Sequence, residues 1–168
     1  MGYFLLILGI GLFAGGHWVK RLAPDARAAW GDKGKGILSL IMVLGVVAMV
    51  IGYRNAGFVN VWVPPAFMTH IANLLILIGF WFFALSNING TMAARVRHKQ
   101  LTGVKAWAVA HLLVNGDLAS IILFGGMLAW AVVSVILINR ANRAWDRPRD
   151  VSVLKDAIAF GVGAALYG

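Results

Sequence analysis

The sequence contains no cysteine and no glutamate, has only four prolines, and carries charge on just 12% of its 168 residues. Without cysteine the chain can form no disulfides, no thiolate metal ligands and no cysteine nucleophile. All six acidic residues are aspartates, against 15 Lys and Arg, which gives a net charge of +9. Soluble domains carry charge on about a quarter of their residues, so the shortage of charge argues against a soluble fold.

Apolar residues make up 61% of the chain, and the mean hydropathy is +0.82. They form long blocks without any charged side chain, at 1–19, 36–53, 55–94 and 118–139. A helix that crosses the roughly 30 Å hydrocarbon core of a bilayer needs about 20 residues, and these blocks reach or approach that length. None carries the polar stripe of a soluble amphipathic helix. The sequence therefore predicts an all-α, polytopic transmembrane bundle of about six helices.

The predicted helices follow from where these blocks begin and end. The first block has neither a basic start nor a cleavage site, which indicates a helix of the mature protein and not a signal peptide. The stretch 104–139 is too long for one crossing, and Asn115-Gly116-Asp117 is a turn signal inside it. The last helix, after Asp156, is expected either to be a half-span or to continue beyond this sequence. The other helices are expected at 3–19, 37–53, 66–87, 104–114 (a half-span) and 118–139.

Basic residues are concentrated in three connections, at 20–35, 95–105 and 140–155, whereas Arg54 is the only one between the second and third helices. With the stretch 104–139 split in two, the three basic connections fall on one side of the membrane, as the positive-inside rule requires. We therefore expect a multi-pass membrane protein with its basic loops in the cytoplasm. Because topology already accounts for the positive charge, nucleic acid is not an expected partner.

The four histidines are expected at different depths. His17, near the end of the first helix, and His111, in the short helix, lie at a similar distance from the basic face, and intramembrane histidines usually face the bundle interior. Two imidazoles at one level could occupy both axial positions of a haem iron. Zinc is less expected, since no third ligand shares this depth. His70 is expected to be a polar anchor at a helix start, and His98 to lie in water.

Other residues near these histidines suit a haem. Small residues in the two helices would leave room for a flat macrocycle. Gly11 and Gly15 form a small-residue face of the first helix, and Ala14 and Ala108 each lie one turn before a histidine. Cations near the basic face are candidates for ion pairs with the propionates, namely Lys20, Arg21 and Arg97. Each histidine could instead simply be hydrogen-bonded inside the bundle. Asp117 has two interpretations as well, a cap on the next helix or a functional intramembrane carboxylate.

Several segments closely resemble the NnrU family of bacterial membrane proteins. The central segments are 97–103 (RHKQLTG) and 107–120 (WAVAHLLVNGDLAS), and the N-terminal part contributes Gly16-His17, the basic loop after it, Ser39-Leu40 and Gly52-Tyr53. The resemblance covers most of the chain. It implies a single NnrU-like transmembrane domain over residues 1–168, located in the bacterial inner (cytoplasmic) membrane.

The family is associated with denitrification and nitric oxide metabolism. It is similar to the 15-cis-zeta-carotene isomerase of plants and cyanobacteria, a membrane protein with haem b that isomerises a carotenoid double bond. The resemblance implies that two histidines hold the haem, with His111 in the motif position of one and His17 matching the other. The chain departs from this pattern at Ala108, where the isomerase has a cysteine, and at Lys99, where the family's arginine-histidine-proline pattern has proline. The family's C-terminal helix often continues further than this sequence.

Three functions are compatible with these observations. The first is a haem b protein of the inner membrane that acts on a lipophilic polyene as a cis-trans isomerase. The second is a haem-bearing accessory protein or sensor that binds nitric oxide or passes electrons. The third is a methyltransferase similar to the isoprenylcysteine carboxyl methyltransferases, in which Arg97 and His98 would contact S-adenosylmethionine. Lys99 and the lack of glutamate disfavour the third function, and a scaffold without a cofactor is the remaining alternative. The expected partners are thus a lipophilic small molecule or nitric oxide, and membrane lipid.

Overall fold

The computed structural model describes all of residues 1–168 and contains seven α-helices and no β-strand. The all-α prediction is confirmed, and each of the six predicted helices is present. The additional helix, α2, lies in the first basic connection, where Pro24 in its first turn and Asp25 near its N-terminus favour a helix start. The helices are α1 (Gly2–Leu22), α2 (Pro24–Ala29), α3 (Lys33–Arg54), α4 (Met68–Ala84), α5 (Lys99–Val114), α6 (Leu118–Ala141) and α7 (Val153–Tyr167).

Three helices, α1, α3 and α6, are long and apolar enough to cross a membrane, and α4 is apolar but has only 17 residues. These lengths indicate an integral membrane protein. The short helix predicted at 104–114 is longer than expected, because α5 begins five residues earlier, at Lys99, and has 16 residues. The charge near residues 99–103 indicates a connection outside the membrane, but lysine and glutamine are good helix formers, so the helix extends into this segment.

The chain forms two compact units. The first comprises residues 1–63 and 116–130, and the second comprises residues 64–115 and 131–168. Helix α6 contributes its first half to the first unit and its second half to the second.

Glycines let α1 and α3 approach closely within the first unit. A Cβ atom added at Gly9 would lie 2.6 Å from the carbonyl oxygen of Gly45, and one added at Gly45 would lie 2.9 Å from that of Gly9. Such contacts between small residues are the usual basis of helix association in membranes. Gly11 and Gly15 take no part in this contact, since a Cβ atom at either position would meet nothing within 4 Å.

An extended segment of the first unit pairs with the backbone just before α6. Val61 N and Trp62 N donate hydrogen bonds to the carbonyl oxygen of Gly116, at 2.8 and 3.1 Å, and Leu118 N donates to the carbonyl oxygen of Val59 at 2.9 Å. The predicted break before α6 is therefore confirmed. Buried non-helical backbone must find its hydrogen-bond partners within the protein, and this pairing supplies them for the turn before α6.

Asp117 caps the N-terminus of α6. Its Oδ1 accepts a hydrogen bond from Ser120 N at 2.9 Å, and its Oδ2 accepts one from Ser120 Oγ at 2.6 Å. The buried Ser120 hydroxyl also lies 2.8 Å from the hydroxyl oxygen of Tyr53. Because a carboxylate only accepts, the Ser120 proton goes to Asp117 and Tyr53 donates to Ser120. The interpretation of Asp117 as a cap is thus confirmed.

In the second unit, Asp156 ties the first turn of α7 to the segment before α5. Its Oδ2 accepts from Thr91 N at 2.8 Å and from the Thr91 hydroxyl, and its Oδ1 accepts from Met92 N at 3.2 Å. Burial by itself would raise the pKa of the Asp156 carboxyl, but the hydrogen bonds from Thr91 and Met92 outweigh it and hold this pKa below its usual range.

We expect the protein to lose stability as the pH falls below about 4, the ordinary pKa of an aspartate. Since the Asp156 pKa is lower in the folded than in the unfolded chain, its stabilising contribution is present above the unfolded value and disappears as the pH falls through the folded one. The thermal midpoint in detergent, measured from neutral to acidic pH, should fall less steeply for Asp156→Asn than for the wild type. Asp25→Asn, which changes an exposed aspartate of α2, should keep the wild-type slope. A wild-type slope in Asp156→Asn would contradict the assignment.

Candidate functional site

His17 lies near the end of α1 and is half-buried. Its Nδ1 lies 2.8 Å from the carbonyl oxygen of Phe13, one turn earlier, so Nδ1 carries the proton and donates it. The imidazole packs against the Phe13 ring, with the two centroids 4.4 Å apart, and against the Trp130 ring at 5.0 Å. No other hydrogen bond involves the ring, which leaves the lone pair of Nε2 available to a ligand.

An apolar groove of about 370 Å³ lies between α1 and α3, beside this imidazole. Its volume is within the range of small-molecule sites, about 300 to 1,000 Å³. The histidine and one serine are the only polar side chains that line it. The lining residues are Phe13 and His17 from α1, and Ser39, Met42, Val43, Val46 and Val47 from α3.

Trp130 is the second aromatic residue in contact with His17. It is 8% exposed, and its indole Nε1 is buried without a hydrogen-bond partner. The Trp130 and Phe13 rings meet edge to face, with their centroids 5.0 Å apart. Two aromatic side chains and one backbone carbonyl therefore fix the orientation of the His17 ring.

His111 belongs to α5 in the second unit and has different neighbours. Its ring meets that of Trp107 edge to face at 5.2 Å between centroids. Asn115 Nδ2 donates to the carbonyl oxygen of His111 at 2.9 Å and lies 3.4 Å from the ring Nδ1. An amide N–H directed at Nδ1 favours the tautomer with the proton on Nε2.

The two histidines therefore fit an iron ligand to different degrees. Ligating histidines almost always donate their second ring N–H to a carbonyl, carboxylate or water, and His17 already has this arrangement. His111 would ligate through Nε2 only after the Asn115 amide turns to present its oxygen to Nδ1. The two residues lie in different compact units, and their pairing on one metal stays a prediction.

The small residues one turn before each histidine do not open space beside them. Ala14 is 6% exposed and Ala108 is fully buried, so protein covers both side chains. The open volume next to His17 lies instead on its α3 side.

The three cations predicted to contact propionates are in different situations. Lys20 and Arg21 are exposed in the last turn of α1 and form no ion pair. Arg97 is hydrogen-bonded to the protein backbone, because its guanidinium donates to three carbonyl oxygens just after α6. These carbonyls belong to Asn142, Arg143 and Ala144. The propionate contacts themselves stay predictions.

The other two histidines are not alike. His70 is exposed in the first turn of α4, as expected for a polar anchor. His98 was expected in water, but it is half-buried, and its Nε2 lies 2.8 Å from Oδ1 of Asn139. It stands immediately before α5, so its side chain connects the start of that helix to the end of α6.

Sequence reasoning missed Trp130 and the α3 wall of the groove. The wall had a detectable signal, because residues 39, 42, 43, 46 and 47 recur at the three- and four-residue spacing of one helix face. Nothing local indicated Trp130, which is far from His17 in the sequence.

A protein-family model described as NnrU protein matches residues 5–168. No curated protein and no solved structure matches the chain. The family match covers nearly the whole chain and includes both His17 and His111.

Proposed function

This chain belongs to the NnrU family, and from that premise we propose that it is a haem b protein of the bacterial inner membrane, with His17 as an iron ligand and His111 as the candidate second ligand. One observation carries the proposal. The Nδ1 of His17 is held by the Phe13 carbonyl at 2.8 Å, at the edge of an apolar groove. An imidazole whose Nδ1 proton is held by a carbonyl, beside an apolar space, is suited to haem ligation through Nε2.

The residues around His17 have distinct roles in this proposal. The Phe13 carbonyl fixes the direction of the imidazole lone pair, while the valines and methionine of α3 give the groove its apolar wall. Lys20 and Arg21 follow His17 by three and four residues, so they lie on the same face of α1. Their unpaired charges are suited to the propionates. Haem b would supply an iron centre able to bind nitric oxide or to activate a polyene.

The apolar lining of the groove supports a lipophilic ligand, and we therefore favour a cis-trans isomerase acting on a carotenoid or related polyene. The alternative is an accessory protein or sensor of denitrification, since nitric oxide is itself small and weakly polar. A methyltransferase has less support, because Arg97 is bonded to three carbonyls and His98 to Asn139. The basic loops are proposed to face the cytoplasm.

The absorption spectrum of the protein tests haem binding. Purified in detergent from haem-replete cells, the wild type should show a Soret band and, after reduction, the sharp visible bands of six-coordinate iron with two imidazole ligands. His111→Ala should lose or shift the Soret band, and His70→Ala, an exposed control, should leave it unchanged. A colourless wild-type preparation would refute the proposal, and an unchanged spectrum in His111→Ala would remove that residue from it.

Product analysis separates the isomerase from the accessory protein. The reduced protein is incubated without oxygen with a cis-polyene, and the geometric isomers are resolved by chromatography. Catalytic conversion supports the isomerase. No conversion, together with a spectral shift on addition of nitric oxide, supports the accessory or sensor function.

A further inference from the structure

We propose that a second site, in the unit formed by residues 64–115 and 131–168, binds a phosphate group, and that its source is the headgroup of an anionic membrane lipid. The site is a cavity of about 300 Å³ at the start of α5. Its polar lining contains three basic side chains, a hydroxyl and an amide, and no carboxylate. The polar residues are Ser86, Arg97, His98, Lys99 and Gln100.

The positive charge of this cavity is uncompensated. Lys99 is half-buried and forms neither an ion pair nor a side-chain hydrogen bond, since the two ion pairs of the protein are Lys35–Asp32 and Lys155–Asp150. Removing a lysine charge from water without a partner is unfavourable, so an anion at this position would stabilise it.

The second charged side chain of the cavity, Arg97, is held in one orientation by hydrogen bonds. The Arg97 guanidinium donates to the carbonyl oxygens of Asn142, Arg143 and Ala144. Binding therefore costs little ordering of this side chain, which favours affinity. His98 is likewise oriented by its bond to Asn139.

The backbone adds hydrogen-bond donors of the required kind. The first hydrogen bond of α5 runs from Thr102 N to the carbonyl oxygen of His98, at 2.8 Å. The amide groups of Lys99, Gln100 and Leu101 precede it in the first turn, and these three residues line the cavity. The first-turn amide groups of a helix favour anions, and here they add to the charge of Lys99 and Arg97.

A lipid phosphate matches this cavity better than a free anion does. The walls also contain two apolar side chains, Leu101 and Ile138, which are suited to the glycerol and upper acyl part of a lipid. Basic pockets at the ends of membrane helices commonly bind anionic headgroups. The cavity shares no residue with the groove beside His17, and the test at Lys99 changes no residue of the proposed haem site.

The test compares the full-length protein in nanodiscs of phosphatidylcholine with and without phosphatidylglycerol. Native mass spectrometry counts the retained lipids, and titration with a short-chain phosphatidylglycerol gives the affinity. Lys99→Gln should weaken phosphatidylglycerol binding about fivefold, the effect of one lysine charge near a lipid headgroup. Lys105→Gln, on the same helix but outside the cavity, should bind as the wild type does, and Lys99→Arg should retain binding.

Inorganic phosphate distinguishes the two sources. If it binds with the same dependence on Lys99 and displaces the lipid, the phosphate chemistry of the site is supported and the source is free phosphate. If phosphatidylcholine binds as well as phosphatidylglycerol, or if Lys99→Gln binds phosphatidylglycerol with wild-type affinity, the proposal is overturned.

Discussion

The His17→Gly protein is expected to be purified without haem and to regain a Soret band when imidazole is supplied together with haem. Loss of the ring removes an iron ligand, and since changes to residues that merely support a ligand reduce metal affinity by about 10- to 100-fold, the loss of a ligand itself should exceed about 100-fold. The ring leaves a space beside Phe13 and Trp130, whose centroids lie 4.4 and 5.0 Å from it. A free imidazole can occupy that space and restore the ligand.

The measurement is a Soret titration with imidazole at constant haem. His70→Gly serves as the control, because it changes an exposed histidine of α4 in the same way and should keep the wild-type spectrum without added imidazole. A glycine inside a helix costs about 1 kcal/mol relative to alanine, so His17→Ala should be titrated in parallel to exclude an effect of the backbone. Wild-type haem content in either His17 variant would remove His17 from the proposed site.

A helix could be predicted wherever the sequence has no charged residue over a stretch long enough to cross a membrane. Helices α1, α3 and α6 each follow an uninterrupted apolar block, and the break before α6 follows from a local turn signal. The start of α5 was not predictable in this way. The charge at 97–105 predicts a membrane boundary, but a helix continues as long as its residues tolerate helical geometry, and Lys99 and Gln100 do so.

The candidate site was predictable only in its local part. The position of His17 near the end of the first helix followed from the sequence, and its bond to the carbonyl four residues earlier is available to a histidine in any helix. The groove required the packing of α1 on α3, and that packing depends on Gly9 and Gly45, not on the more obvious pair Gly11 and Gly15.

The contacts of Arg97 were likewise not predictable from the sequence. The sequence gives its charge and its place in a basic connection, which is compatible with a propionate, a phosphate or solvent. Its bonds to three carbonyls in residues 142–144 depend on how the segment after α6 returns to the start of α5. Contacts of this kind join distant parts of the chain, and no local pattern encodes them.

The largest loss of stability from a single methyl group is expected at Gly116. A Cβ atom at this buried position would overlap the carbonyl group of Trp62, which is backbone and cannot rotate away. Relieving the overlap would separate the extended segment from the start of α6 and break the hydrogen bonds that Val61 N and Trp62 N donate to Gly116. Buried backbone groups left without hydrogen-bond partners cost about 1 to 3 kcal/mol each, and we expect Gly116→Ala to lose about 3 kcal/mol or more of unfolding free energy.

The thermal midpoint in one detergent, compared with that of Gly125→Ala, measures this effect. Gly125 lies inside α6, and a Cβ atom there would meet nothing within 4 Å, so alanine should raise stability by up to about 1 kcal/mol through its helix propensity. The two substitutions add the same methyl group to the same unit, and their effects should have opposite signs because only one position faces backbone. Equal midpoints would mean that the segment 59–62 does not pair with Gly116, and the close approach that positions the start of α6 would then be wrong.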